Sequence, residues 1–188
     1  MANLCYLLSS LPTLFFGRNP QITYEDFLDA ASRSLSVSEL ERLKSFSNSQ
    51  PPAVLDGMGG LEKEYWNWEI SLRNELVRLR AEVLGVKPDR YLNNYGSAGL
   101  ATAVARDAFR EDDPLKVEEY LTRIRYDWLE SQKGGRIFDF DVLLIYSMQL
   151  QLLQRYHSFD ESIGRENYNR VYQRVLSEAE SVLLENIS

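Results

Sequence analysis

One cysteine and one histidine are all that this 188-residue chain has of the two side chains that most often build metal centres and nucleophilic sites. Cys5 cannot form an internal disulfide, and near an apolar amino terminus it reads as a small buried hydrophobe. His157 cannot supply a zinc site alone. Di-iron bundles need paired Glu-x-x-His motifs, whereas the residue three before His157 is Gln154. Catalysis by a Cys–His pair would require Cys5 and His157 to meet from opposite ends of the chain, and nothing in the sequence demands it. Basic excess is also missing. Twenty-one Lys and Arg stand against 28 Asp and Glu, a formal charge of −7 that repels phosphate backbones and argues against nucleic acid. No apolar run is long enough to span a bilayer, and no strand signal exceeds a few residues. The expectation is a protein of the reducing cytoplasm with no catalytic residue, no cofactor and no metal ligand.

What is present is helical. The stretch DFDVLLIYSMQLQLLQRYH, Asp139 to His157, has no charge between Asp141 and Arg155, and its apolar residues leave almost no helical face free. A helix apolar nearly all round is a buried one. This one, about 28 Å long, reads as the central rod of a bundle, its greasy surface interrupted by Gln149, Gln151 and Gln154.

At the amino terminus, LCYLLSSLPTLFF (Leu4 to Phe16) has the greasiness of a secretory signal without its layout. Arg18, the first charge, follows the run, Pro12 interrupts it, and no small-x-small cleavage pattern follows. The segment is expected to dock on the bundle through Leu4, Leu7, Leu8, Leu11, Leu14 and Phe15. Thr23 is placed to cap a helix from Tyr24 to about Ser34, and Ser36 with Glu39 has capping-box spacing for a second ending near Phe46. The stretch SNSQPPAVLDGMGG, Ser47 to Gly60, shifts to serine, proline and glycine and reads as a linker. Its glycines lack the Gly-Lys-Ser/Thr of a phosphate-binding loop.

From Leu61 to Leu84, Leu61, Tyr65, Trp68, Leu72, Leu76, Leu79 and Val83 recur at spacings of three and four. Trp66, Ile70, Val77, Ala81 and Leu84 form a second line beside them. Glu69 with Arg73 and Arg78 with Glu82 are expected on the opposite, solvated side. Gly85 is a natural stop, reinforced by Pro88. After an aromatic loop, an alanine-rich helix is expected from Ala98 to Arg110. Asp113-Pro114 opens another to about Gln132, ended by Gly134-Gly135. A last long helix runs through Asn186. The fold expected is all-α, a mostly antiparallel bundle of four to five long helices (residues 61–188) with a small helical amino-terminal appendage (1–46) joined by the linker at 47–60.

Paired carboxylates are the remaining route to chemistry, since some helical hydrolases hold magnesium with acids three or four apart. Asp26 with Asp29, Asp127 with Glu130, and Asp139 with Asp141 lie close enough in sequence. Four converging acids on long facing helices are not visible, so these read as solvated faces and a cap. The candidate contact residues for a protein partner are Tyr65 and Trp66 near the linker and Tyr91 and Tyr95 in the following loop, although core packing is the favoured role for Trp66 and covering the bundle end the favoured role for Tyr91 and Tyr95.

Four stretches carry a resemblance: YLLSSLPTLFFGRNPQITYEDFL, WNWEISLRNELVRLRAEVLG, YLTRIRYDWLESQ and FDFDVLLIYSMQLQLLQR. In them the chain resembles an uncharacterised bacterial family whose genes lie among those of V-type ATPases and which is distantly similar to the C-type component of the V-type ATPase central stalk, called d in eukaryotes. That resemblance implies a non-enzymatic helical subunit, or an assembly or accessory factor, of a rotary ATPase. Its partners would be rotor or central-shaft subunits, and its location cytoplasmic, peripheral to the membrane through those partners. The C-type stalk component itself is nearly twice this length and built of three similar lobes, so its whole funnel cannot be reproduced here. No site residue carries over, because the family has no catalytic motif. The alternatives are a free-standing helical adaptor or regulator, and a carboxylate-metal hydrolase.

Overall fold

The structure, a computed structural model, describes residues 2–46, 51–52, 55, 58–97, 99–135 and 139–159. Seven helices and no strand are found among them: α1 (Ala2–Ser10), α2 (Tyr24–Ser32), α3 (Val37–Ser45), α4 (Gly60–Leu84), α5 (Thr102–Phe109), α6 (Pro114–Ser131) and α7 (Phe140–Ser158). The fold is all-α with a small helical amino-terminal part. The chain separates into two compact units, Met1–Gln154 and Arg155–Ser188. Residues 2–46 therefore share a unit with the helices that follow, although composition drew a boundary at 47–60. Most of that linker, and the long helix expected through Asn186, lie outside the described residues.

Local chemistry explains the helix ends. Thr23 accepts from the Asp26 amide at 3.1 Å, and Ser36 and Glu39 close a reciprocal capping box at α3. Asp113 accepts from the Leu115 amide at 2.9 Å ahead of Pro114, whose missing N–H costs nothing at the first helical position. Gly85 ends α4 in the left-handed region at φ +64°, and the amide of Val86 reaches back to the Ala81 carbonyl at 3.0 Å. The alanine-rich helix starts at Thr102, four residues later than its sequence pattern suggests, because residues 99–101 form a turn through the positive φ of Gly99.

Within the first unit, α4, α6 and α7 run alternately up and down. Tyr65 and Trp68 of α4 meet Trp128 of α6, while Leu76 and Arg80, further along α4, lie beside Val117 and Leu121 near the start of α6. Tyr126 of α6 faces Gln149 of α7, and Lys133 shares a groove with Val142. Leu143, Leu144, Ile145, Met148, Leu150, Leu152 and Leu153 are all buried, as expected of the central rod. Its glutamines are ties. Gln149 Nε2 donates to Glu130 Oε2 at 2.8 Å, and Gln151 Nε2 reaches the Phe46 carbonyl at the end of α3 at 3.4 Å.

The amino-terminal run divides into α1 and a non-helical strip, residues 11–16, laid against α6 and α7. The Tyr146 hydroxyl donates to the Pro12 carbonyl at 3.0 Å, and the Tyr126 hydroxyl donates to the Leu14 carbonyl at 2.9 Å. These two bonds serve carbonyls that have no helix of their own to satisfy them. Phe16, rather than the expected Phe15, turns inward, meeting the Tyr126 ring edge-on at 5.7 Å, and Phe15 is more than half exposed. Phe27 of α2 is fully buried against Tyr146, at 5.4 Å between ring centroids.

Burial, and to a smaller extent neighbouring negative charge, raises the hydroxyls of Tyr126 and Tyr146 to about 12 from an ordinary 10. A phenolate has no proton to give to a carbonyl. Their contribution to stability is therefore complete below pH 10 and is lost as pH rises from 10 through 12. An alkaline titration followed by phenolate absorbance is expected to lose one late-ionising tyrosine in Tyr126→Phe and one in Tyr146→Phe, each variant less stable by about 1 kcal/mol at neutral pH.

Candidate protein-contact surface

Two of the four aromatic residues singled out as contacts are inside the protein. Tyr65 has no exposed surface, and Trp66 retains only 3%. Tyr65 is ringed by Phe46, Trp66, Trp68 and Trp128, with centroids 5.3 to 6.3 Å away, and Trp68 stacks on Trp128 at 5.5 Å. Edge-on and offset pairs of this kind add to the area they bury. Tyr65 is thus corrected from a surface contact to a core residue, and Trp66 takes the core role favoured for it, because α4 is covered on nearly every side between positions 65 and 72. Tyr91 is 66% exposed and Tyr95 half-buried.

The same covering corrects the place of Glu69. Its spacing to Arg73 suggested a solvated pair, yet the carboxylate has no exposed surface. Arg125 of α6 reaches it through two nitrogens, Nε to Oε2 at 2.9 Å and Nη2 to Oε1 at 3.1 Å, and Arg73 Nε adds a third donor at 2.7 Å. Burial alone would lower the Arg125 pKa, but the adjacent carboxylate more than reverses this and holds it above its ordinary value. Burial pushes the neighbouring Tyr65 hydroxyl strongly up, and the charge of Glu69 pushes it further. Arg78 pairs with Glu75 three residues before it, not with Glu82.

Two further buried polar residues of α4 hold the loop that follows it. Asn74 Nδ2 donates to the carbonyls of Asn93 and Tyr95, both at 3.0 Å, while its Oδ1 accepts from the Asn93 amide at 2.8 Å. Three bonds from one amide fix the chain on either side of Asn94. Ser71 Oγ accepts from the Ser97 amide at 2.8 Å and donates to the Asn67 carbonyl at 2.6 Å. Between these anchors Gly96 sits at φ +95°, and a Cβ there would lie 2.9 Å from the Ser71 amide nitrogen. Only glycine combines that backbone conformation with that approach.

Beyond these anchors the carboxyl end of α4 is bare. Val83 and Leu84, which the periodicity placed inward, are each 72% exposed, and Val86 is 49% exposed. Among the described residues, none covers this last turn of the apolar spacing. Val77, Ala81, Leu84, Val86 and Tyr91 line an apolar concavity of about 350 Å³ with Arg80 at its edge. Large apolar side chains gathered at one end of a helix mark a contact surface more often than scattered ones do.

Among the described residues no group of three or more His, Cys, Asp or Glu is placed to hold a metal ion. Asp29 pairs with Arg33, Asp127 with Arg123, and Glu130 with Lys133 and Gln149. No described helix is long and apolar enough to cross a membrane. Residues 102–179, from the first residue of α5 onward, match the model of a family described as a protein of unknown function, DUF2764. No curated protein and no solved structure matches the chain.

Removing Arg125 takes from the buried Glu69 two of the three donors described above. Arg125→Met is expected to cost about 3–5 kcal/mol, read as a fall in the denaturation midpoint. Gly96→Ala is expected to lose more stability than Gly99→Ala, since both glycines have positive φ but only the first would drive a Cβ into backbone.

Proposed function

We propose that the protein is a non-enzymatic helical subunit, or an assembly or accessory factor, of a V-type rotary ATPase, working through protein contacts at the cytoplasmic, membrane-facing side of that complex. The direct support for the partner is the resemblance of the four sequence stretches to the family found among V-type ATPase genes. The structural observation that supports action by contact is the uncovered apolar end of α4, where Val83, Leu84, Val86 and Tyr91 stand out beyond the helices that bury the rest of α4. Such a group loses about 25 cal/mol per Å² of apolar surface by staying in water, and a partner that covers it recovers that amount. Tyr91, with a large ring and a polar tip, is the residue type enriched at the centre of interfaces.

Rigidity supports the same reading. A part that passes force between others needs long helices with no soft joint. Helices α4, α6 and α7, of 25, 18 and 19 residues, are cross-tied by a buried ion pair and by glutamine bonds, and these are fixed contacts.

Rotor or central-shaft subunits are expected to be recovered with the tagged protein from gently solubilised membranes. Leu84→Glu and Tyr91→Glu, at positions too exposed to matter for folding, are expected to reduce that recovery at least tenfold while leaving the circular dichroism unchanged. A fully assembled, gently isolated ATPase that lacks the protein, together with recovery of unrelated partners only, would overturn the assignment in favour of a free-standing adaptor.

A further inference from the structure

The concavity at the carboxyl end of α4 has a definite shape as well as an apolar lining. Val77, Ala81 and Leu84 follow one another at spacings of four and three, so they share one face of the last two turns of α4. Ala81, 4% exposed, is the floor between two larger side chains. The chain returns after Gly85, and Val86 and Tyr91 close the far side. The result is a hole of about 350 Å³ between a helical stripe and the segment that follows it. Holes of this form, small at the base and apolar at the rim, are what a facing helix fills with its knobs.

The polar groups of the lining are donors. Arg80 is exposed and has neither a hydrogen bond nor an ion pair among the described residues. The Tyr91 hydroxyl is the other polar side-chain group, and among the described residues no carboxylate lines the hole. Lys87 and Arg90, next in the chain to Val86 and Tyr91, are exposed and without a partner among the described residues. The acids nearby are placed elsewhere. Glu82, at about 100° per residue, is turned away from the stripe of Val77, Ala81 and Leu84. Glu111, Asp112 and Glu118 line a neighbouring concavity of about 400 Å³ that shares Arg80 with this one, and Asp89 is exposed in the returning segment.

We infer that the hole over Ala81 docks an amphipathic helix of the protein partner, its apolar stripe seated between Val77, Leu84, Val86 and Tyr91 and a flanking carboxylate meeting Arg80. The inference rests on the reading of the protein as one that acts by contact, and it specifies the chemistry of what is contacted. A helix supplies large side chains at the same spacings of three and four as the wall that receives them. A rim of donors without an acceptor selects an acidic flank over a basic one, and a guanidinium takes a carboxylate through paired N–H groups. The surrounding acids decide against other occupants. An anionic lipid surface is broad, so it would meet Asp89, Glu111 and Asp112 together with Arg80, whereas one carboxylate beside a helical stripe addresses Arg80 alone. A second copy of the chain brings a formal charge of −7 against an equal one.

Stapled helical peptides with a leucine stripe flanked by glutamates, by glutamines or by lysines test this, with binding to the full chain read by fluorescence anisotropy. Saturable binding is expected for the glutamate peptide, about tenfold weaker for the glutamine peptide and absent for the lysine peptide, with the preference shrinking as salt is added. Arg80→Glu is expected to reverse the order, so that the lysine peptide binds and the glutamate peptide does not, a swap that loss of structure cannot produce. No saturable binding, equal affinity for the three peptides, or an order unchanged in Arg80→Glu would overturn the inference. So would binding to phosphatidylglycerol vesicles in preference to every peptide, or a dimer that Leu84→Glu dissolves. No ATPase component enters these measurements. Failure to recover rotor or shaft subunits with the peptide order intact overturns the proposed assembly alone, and recovery of those subunits unchanged by Arg80→Glu overturns this inference alone.

Discussion

A carboxylate shut away from water has to be answered by a cation, and in this protein the answer comes from a different helix. Glu69 sits in the middle of α4, and Arg125 crosses from α6 to meet it with two nitrogens. The planar fork of arginine fits a carboxylate in one orientation, so the pair fixes the register of the two helices as well as their proximity. The aromatic group around Tyr65 packs one turn away, and Trp128 lies one turn further along α6 from Arg125. Were α6 to slide by one residue, both the ion pair and the stacked tryptophans would be lost together. A buried ion pair of this kind is a weak source of net stability and a strong source of specificity, because every misregistered arrangement leaves a charge uncompensated.

A polar line runs along α4 with a separate task at each position. Glu69 sets α6, Ser71 holds Ser97, and Asn74 holds Asn93 and Tyr95. The loop after α4 thus returns along the helix it has just left, and its shape is written in side-chain bonds where a sheet would have used backbone ones. Buried polar groups that are fully partnered stiffen a core. The exception is Gln149, whose Oε1 has no hydrogen-bond partner among the described residues.

Much of this architecture is legible in the sequence, and what is not has a common physical origin. Caps are local, so Thr23, Ser36 with Glu39, Asp113 with Pro114, and Gly85 could be read without knowing the neighbours. The buried rod of α7 followed from its unbroken apolar run. Most of the errors are questions of what lies opposite. Glu69 looked solvated because its visible partner, Arg73, is four residues away, and nothing local announces a second partner 56 residues on. Val83 and Leu84 continue an apolar period that no described helix covers, and Tyr65 has the character of an interface residue while filling a core. Periodicity tells which residues share a face but not whether that face meets protein or water. Phe15 and Phe16 differ in fate although adjacent and identical, since the turn after them decides which ring points inward. The apolar end of α4 was therefore present in the sequence, yet only the surrounding helices identify it as a surface.

The grip of α3 on α4 bears on how this chain can vary. Arg42, near the end of α3, holds Glu62 in the first turn of α4 with its Nε at 3.0 Å from both carboxylate oxygens, and its guanidinium lies over the Phe140 ring at 5.0 Å. The two ends of the intervening segment are thereby pinned by side chains, so the segment itself is not what brings α3 to α4. Lengthening a closed loop is thermodynamically mild, each doubling costing about 0.6 kcal/mol. An insertion between these two residues is thus expected to be tolerated where it leaves Leu55, which is 2% exposed and part of the core, in its place.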